Sequence, residues 1–306
     1  MMQQIPAKTI ITKTKNSFWF GADYNMNIYR GCPHGCIYCD SRSECYGIDE
    51  FDTVRTKENA LEKIESELRK KRRKGVIATG AMSDPYNPFE KELELTKQAL
   101  ASVERYGFGI AIATKSDLVV RDAAQLFRIQ SHAPVIVKLS ITTADDALAK
   151  RIEPHASPPS RRFNAIKQLS ASGVYCGVLM MPVLPFIEDT QENVIAIVRK
   201  AKECGAKFIY ADFGVTLRAN QRVHFYRMLD KEFPGIKEKY IKTFGNEYIC
   251  ASPDNTALWK IFKRECEIAG ILYRMQDIIR DYKKDEIQPC TAEQTSFLDY
   301  IGKESD

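Results

Sequence analysis

Cys32, Cys36 and Cys39 fall within eight positions in the stretch Arg30-Gly31-Cys32-Pro33-His34-Gly35-Cys36-Ile37-Tyr38-Cys39-Asp40. The spacing Cys-x3-Cys-x2-Cys presents three thiolates from one short loop. Iron–sulfur cubanes are held by cysteine thiolates, usually four of them. A triad therefore leaves one iron without a protein ligand and free to chelate a small molecule. An open coordination position is what separates a catalytic metal site from a structural one. Structural zinc is the competing reading, but it wants four ligands, commonly from paired Cys-x2-4-Cys motifs or a cysteine pair with a histidine pair. No second Cys-x2-Cys follows, and His34 is tethered too tightly inside the loop to complete a tetrahedron easily.

The loop resembles the signature of the radical S-adenosylmethionine (SAM) superfamily. Over roughly residues 20–290 the chain is similar to the branch related to spore photoproduct lyase. The resemblance implies a [4Fe–4S] cluster on Cys32, Cys36 and Cys39. It also implies SAM chelated at the open iron, and a one-electron reductant such as flavodoxin or ferredoxin. It assigns Ser83 and Asp84, in Thr79-Gly80-Ala81-Met82-Ser83-Asp84-Pro85, to the SAM amino group, although Asp before Pro is also common turn chemistry. Lys115 is matched to the carboxylate or ribose, Ser140 to the ribose, and Tyr38, with Ile37, to the adenine edge through the backbone. Met181 and Val183 are matched to the adenine pocket, and Met180 and Met181 also suit plain packing. A Glu153–Arg bridge within Glu153-Pro154-His155-Ala156-Ser157-Pro158-Pro159-Ser160-Arg161-Arg162 would lock a loop over the site, and His155 is expected to be exposed.

Two departures bear on the substrate. Spore photoproduct lyases carry a hydrogen-returning cysteine where Ala81 stands here, and a tyrosine where Asp40 stands. Reversal of a thymine dimer is therefore not expected, and the inert-looking thiols Cys45 and Cys176 are poor substitutes. A cluster-bearing nucleic-acid-binding or redox-sensing protein without SAM cleavage is the alternative. It has no need of Ser83, Lys115 and Ser140 around a cleft.

These residues must be held by repeated strand–helix units. Apolar β-prone runs at 24–29, 76–79, 109–114, 135–141, 175–181 and 207–213 alternate with helical stretches at 57–73, 90–106, 121–131, 161–172 and 190–204. Apolar Leu61, Ile64 and Leu68 recur at helical spacing. Short strands apolar on both faces imply a parallel sheet covered by helices. The expected fold is α/β, a partial (β/α)6 TIM-type barrel, with the site on loops at the C-terminal strand ends. The expected organisation is an N-terminal segment at 1–20, the barrel at 21–214, a C-terminal helical extension at 215–290 and a tail at 291–306. Helices in that extension are expected at 221–233, 254–269 and 273–282.

Composition narrows the class. Apolar residues make up 44% and charged residues 28% of 306 positions, ordinary for a globular protein. No run approaches membrane-spanning length, and the first residues lack the apolar core of a secretory signal. Nine cysteines, six of them scattered (Cys45, Cys176, Cys204, Cys250, Cys266, Cys290), form no disulfide framework. A cytoplasmic monomer is expected. The net charge of +5 permits a nucleic-acid partner without demanding one. The densest basic run, Arg69-Lys70-Lys71-Arg72-Arg73-Lys74, reads first as a solvated helix end.

Overall fold

Strand parity decides how this chain packs. In the computed structural model, which describes residues 2–284, six parallel strands form one arc. They are β1 (Tyr24–Met26), β2 (Val76–Thr79), β3 (Gly109–Thr114), β4 (Val135–Ser140), β5 (Cys176–Met180) and β6 (Ile209–Ala211). They pair in sequence order, with registers such as Ile110 opposite Val135 and Val137 opposite Cys176. A short antiparallel strand, Ile11–Lys13, extends the β1 edge. Among the described residues no pairing joins this edge to β6, so the barrel stays open.

Alternate residues serve different layers. Ile77, Ile110, Ile112, Val135, Val137, Leu139, Val178 and Met180 face outward into the main core. The helices behind them are α1 (Ala60–Lys70), α2 (Glu90–Leu93), α3 (Leu95–Arg105), α4 (Ala123–Gln130), α6 (Pro159–Ala171) and α7 (Gln191–Glu203), whereas α5 (Asp146–Ile152) packs Leu148 and Ile152 with the cysteine loop. The inward set is smaller on β2 and β3, with Ala78 and Ala111, which keeps space inside the arc. Lower down, Phe20, Phe208 and residues of a late helix plug the interior.

The helix expected over 90–106 is broken at Glu94, whose φ is +48°. Glu90 explains the break. Its buried carboxylate accepts from Thr96 N at 3.0 Å and Lys97 N at 3.3 Å, capping α3 from outside. The strand expected over 24–29 is also split. Tyr29–Arg30 leaves the arc to pair with Arg55–Lys57 in a separate sheet completed by Gln4–Ile5.

The segment expected as a C-terminal helical extension divides in two. An antiparallel pair, β7 (Gly214–Thr216) and β8 (Ile249–Ala251), brackets α8 (Ala219–Glu232) and α9 (Ile236–Phe244). Next, α10 (Asn255–Ala269) sends Leu258, Phe262 and Cys266 into the main core, and α11 (Met275–Tyr282) joins the interior plug. The pair β7–β8 and helices α5 and α9 lie outside the sequence expectations. The tail at 291–306 and Cys290 lie outside the described residues. No helix among the described residues is long and apolar enough to cross a membrane.

The basic run sits at the N-terminal end of β2, opposite the end where the cysteine loop lies. Lys71 Nζ stands 4.6 Å over the Tyr24 ring and Lys74 Nζ 4.7 Å over Phe108. These contacts make it the decorated end of α1, away from the site.

Glu188, after β5, offers a stability test. Its buried carboxylate accepts from Thr142 Oγ1 at 2.5 Å and Leu184 N at 3.1 Å, with no cation beside it. Burial pushes its pKa up from 4.5 to about 8. Between these values the folded protein keeps a proton that the unfolded chain has released, so stability falls as pH rises. Glu188→Gln can donate to Thr142 and accept from Leu184. It is expected to stabilise the protein by roughly 2–4 kcal/mol at pH 9, at about 1.4 kcal/mol per unit of displacement, and by little at pH 4. Urea melts at the two pH values check this, and an equal effect at both would refute it.

Candidate active site

Every barrel strand sends residues to one cavity of about 460 Å³ at the C-terminal ends of the strands. The loop after β1 and Tyr29–Arg30 brings Cys32, Cys36 and Cys39. Gly80 follows β2, Lys115 follows β3, Ser140 ends β4, and Met181 and Asp212 follow β5 and β6. The loop can turn this sharply because Gly31 has φ +81°, and a Cβ there would lie 2.3 Å from Thr53 O. Gly80, at φ +97°, lets β2 pass the β3 backbone, where a Cβ would meet Ala113 O at 1.9 Å.

Cys36 is buried, and Cys32 and Cys39 are half-buried. Burial raises all three thiol pKa values, Cys32 to about 12 with the charge of Asp84 adding to the rise. A metal binding here must displace protons. Among the described residues no three His, Cys, Asp or Glu groups converge as ligands of one ion. A single zinc needs that convergence at bond distances near 2 Å. A polynuclear cluster does not, because each thiolate takes its own iron. The donor set therefore fits an iron–sulfur cluster with three protein thiolates.

The remaining expected residues gather around the same cavity, in unequal roles. Ser83 is buried and donates its hydroxyl proton to Gly31 O at 2.5 Å, which braces the cysteine loop and leaves the oxygen lone pairs as acceptors. Asp84 corrects the expectation of a free acceptor for an ammonium group. Its carboxylate accepts from His34 Nε2 at 3.1 Å, Thr114 Oγ1 at 2.6 Å, Lys115 N at 2.7 Å and Tyr86 N at 2.9 Å. Those four donors fill a carboxylate's capacity. Burial alone would raise its pKa, but the hydrogen bond and charge of His34, helped by Lys115 N and Thr114, outweigh burial and hold it at about 2. Asp84 is thus the brace between the cysteine loop and the end of β3. His34, which also faces His155 O at 3.4 Å, is part of that brace.

Lys115 Nζ lies 3.9 Å from Glu153 Oε1 and 5.6 Å from the centre of the Tyr38 ring. Burial disfavours its charge, but Cys36 and Glu153 outweigh burial and raise its pKa. The Glu153–Arg bridge forms with Arg162, Nη2 to Oε2 at 2.5 Å, and both side chains are buried. Arg162 also donates to Ser140 O at 2.7 Å and Ser157 O at 2.5 Å, and the Tyr38 hydroxyl donates to Glu153. Burial would raise the Glu153 pKa, yet Arg162 and Lys115 keep it below the usual carboxylate range. Ser140 lines the cavity, and its hydroxyl has no hydrogen-bond partner among the described residues.

Met181 and Tyr38 also line the cavity. Ile37 does not: its side chain packs beneath α8 and its N–H bonds Ile152 O at 3.0 Å. Val183 is likewise buried in the main core. Ala81 and Asp40 also line the cavity. Cys176 points outward into the main core, its thiol 3.6 Å from Ile166 O. Cys45 lies at the surface, 3.5 Å from Arg218 Nη1. His155 is exposed, as expected.

Five contributors were missed from the sequence. Gln221, fully buried at the start of α8, donates to Tyr38 O at 2.7 Å and Thr216 O at 2.8 Å. Tyr46 lines the cavity and donates to Asp40 Oδ2 at 3.0 Å, while Arg218 Nε holds Asp40 Oδ1 at 3.0 Å. Trp19 and Asp212 also line the cavity. No local spacing pattern marks any of the five.

Comparison with known proteins agrees with this geometry. Residues 26–198 match the family model described as the radical SAM superfamily. An uncharacterized protein of Methanocaldococcus jannaschii is 32% identical over 76% of this chain and 83% of its own length. An uncharacterized protein of Mycobacterium tuberculosis is 29% identical over 78% of this chain and 72% of its own. Among solved structures, spore photoproduct lyase complexed with dinucleoside spore photoproduct superposes with a TM-score of 0.63 at 15% identity, covering 87% of this chain and 79% of the lyase. The radical SAM methyltransferase TsrM from Kitasatospora setae gives 0.54 at 11% identity, over 86% and 61%. The likeness to both solved proteins is one of fold. Three thiols on one loop at the mouth of an open parallel barrel, together with the family match, place this chain in the radical SAM superfamily.

Proposed function

We propose that this chain is an enzyme that holds a [4Fe–4S] cluster on Cys32, Cys36 and Cys39 and cleaves SAM to abstract a hydrogen atom from a substrate. The observation that carries the reading is the meeting, in one cavity, of three thiols from the first loop with Lys115, Ser140 and Met181 from three other strand ends. When bound, cluster and SAM supply the hard chemistry: one electron from a flavodoxin- or ferredoxin-type donor yields methionine and a 5′-deoxyadenosyl radical.

The protein's part is binding, orientation and exclusion of water. Lys115, kept charged by its anionic neighbours, meets the SAM carboxylate. The lone pairs of Ser83 Oγ face the amino group, with its proton already committed to Gly31. Ser140 offers an unused hydroxyl to the ribose. The Tyr38 backbone and the Met181 side chain border the adenine. Asp84 and Glu153 touch none of these groups and act by fixing Lys115, Tyr38 and the cysteine loop.

Besides the three cysteines assigned to iron, no thiol lines the cavity among the described residues. A nucleic-acid lesion, the substrate class suggested by likeness to the lyase, would be turned over here without a thiol returning hydrogen.

The test is anaerobic reconstitution with iron and sulfide, followed by reduction in the presence of SAM. Methionine and 5′-deoxyadenosine are expected in equal amounts. Native protein carrying zinc and no sulfide, or a reduced cluster that leaves SAM intact, would reject the reading.

A further inference from the structure

Three carboxylates line the cavity, and two of them are committed to protein donors. Asp84 has its four donors, and Asp40 is held between Arg218 and Tyr46. Asp212 is an exposed residue lining the cavity, and its carboxylate has neither a hydrogen bond nor an ion pair among the described residues. It follows β6, two positions beyond Tyr210 and on the same inward parity. Tyr210 packs edge-on against Trp19, with ring centres 5.4 Å apart. Trp19 is 39% exposed and stands on the turn that enters the open side of the arc. The unpaired carboxylate and the indole thus line the same cavity, joined through Tyr210.

Among the described residues Lys115 is the only lysine or arginine lining the cavity, and its Nζ lies 3.9 Å from Glu153 Oε1. A phosphate entering at the Asp212 end would meet an unpaired anion and no cation. A planar nitrogen cation meets the reverse: charge-assisted N–H bonds to a carboxylate and an aromatic face suited to cation–π contact.

We propose that Asp212 and Trp19 form the substrate-recognition end of the site, built for a planar cationic nitrogen group of the amidinium or guanidinium type. The carboxylate accepts its N–H groups, and the indole covers its face. The proposal rests on the radical SAM reading only in leaving the thiol end to the cofactors.

The test is anaerobic calorimetry on the reconstituted full chain with SAM bound, using three probes: benzamidine, its anionic counterpart benzoate, and the dinucleotide thymidylyl-thymidine. Benzamidine is expected to bind at one site, D212N to weaken it by about tenfold or more, and W19L by about threefold or more. Benzoate and the dinucleotide are expected to bind more weakly than benzamidine. D212N is expected to melt with the wild type, because no hydrogen bond or ion pair to the carboxylate is lost among the described residues. If it does not fold, W19L decides. The proposal is overturned if benzamidine fails to bind, if neither variant weakens it, or if benzoate or the dinucleotide binds as well. A fall in SAM affinity in D212N equal to the fall for benzamidine would place Asp212 on the cosubstrate and also overturn it. Failure of the wild type to cleave SAM would instead strike the proposed function, leaving the binding results to stand.

Discussion

Cys36→Ala is expected to reduce the iron of reconstituted protein from about four per chain to near background, with loss of visible cluster absorbance and of SAM cleavage. Cys36 is the buried member of the trio, and its loop neighbours are already engaged: Ile37 N with Ile152, Tyr38 O with Gln221 and Cys39 N with Cys36 O. No other thiol lines the cavity among the described residues, so no spare ligand stands ready to take the vacated iron. Cys45→Ala serves as the comparison, because that thiol sits at the surface outside the cavity. Iron and sulfide determination on both variants checks the prediction. Retention of a full cluster by Cys36→Ala would refute the ligand assignment.

Arg162→Met is expected to carry the largest stability cost of any single change near the site, about 3–5 kcal/mol, because it strands a buried carboxylate. Arg162 joins Glu153, the Ser140 carbonyl and the Ser157 carbonyl, so one guanidinium fastens the end of β4 to the loop before α6. Glu153 in turn holds the Tyr38 hydroxyl and faces Lys115. Removing the carboxylate charge as well, in Glu153→Gln/Arg162→Met, is expected to restore roughly 1–2 kcal/mol, since an uncompensated buried charge costs more than a missing pair. Denaturant melts of the single and double variants measure this. A single variant within about 0.5 kcal/mol of wild type would show that the pair is not the fastening point.

How far the sequence reaches depends on how far apart the interacting residues lie. The cysteine trio is legible because its three thiols fall within eight positions of one loop. The strands Val76–Thr79 and Gly109–Thr114 match the expected runs residue for residue, because apolar packing on both faces leaves an unbroken local signal. The helix over 90–106 is read as one because a break caused by Glu90 capping a later turn has no local marker. Asp84 is misread for the same reason: its partners His34 and Thr114 lie 50 and 30 residues away. Trp19, Asp212 and Gln221 are silent in sequence because each acquires meaning only when the arc brings its ends together. Helix α9 hides because its apolar Ile236, Tyr240 and Phe244 fill little more than two turns.

Gln221 has a consequence for how such a protein is assembled. Its amide spans 183 residues to hold the carbonyl beside the third cysteine, and the other end of the same NH2 group grips β7. During synthesis the cysteine loop emerges early but lacks this clasp until most of the chain has left the ribosome. Before then the loop is still free to wander. For the cluster proposed on Cys32, Cys36 and Cys39, the architecture therefore favours insertion of iron and sulfide as a late, post-translational event.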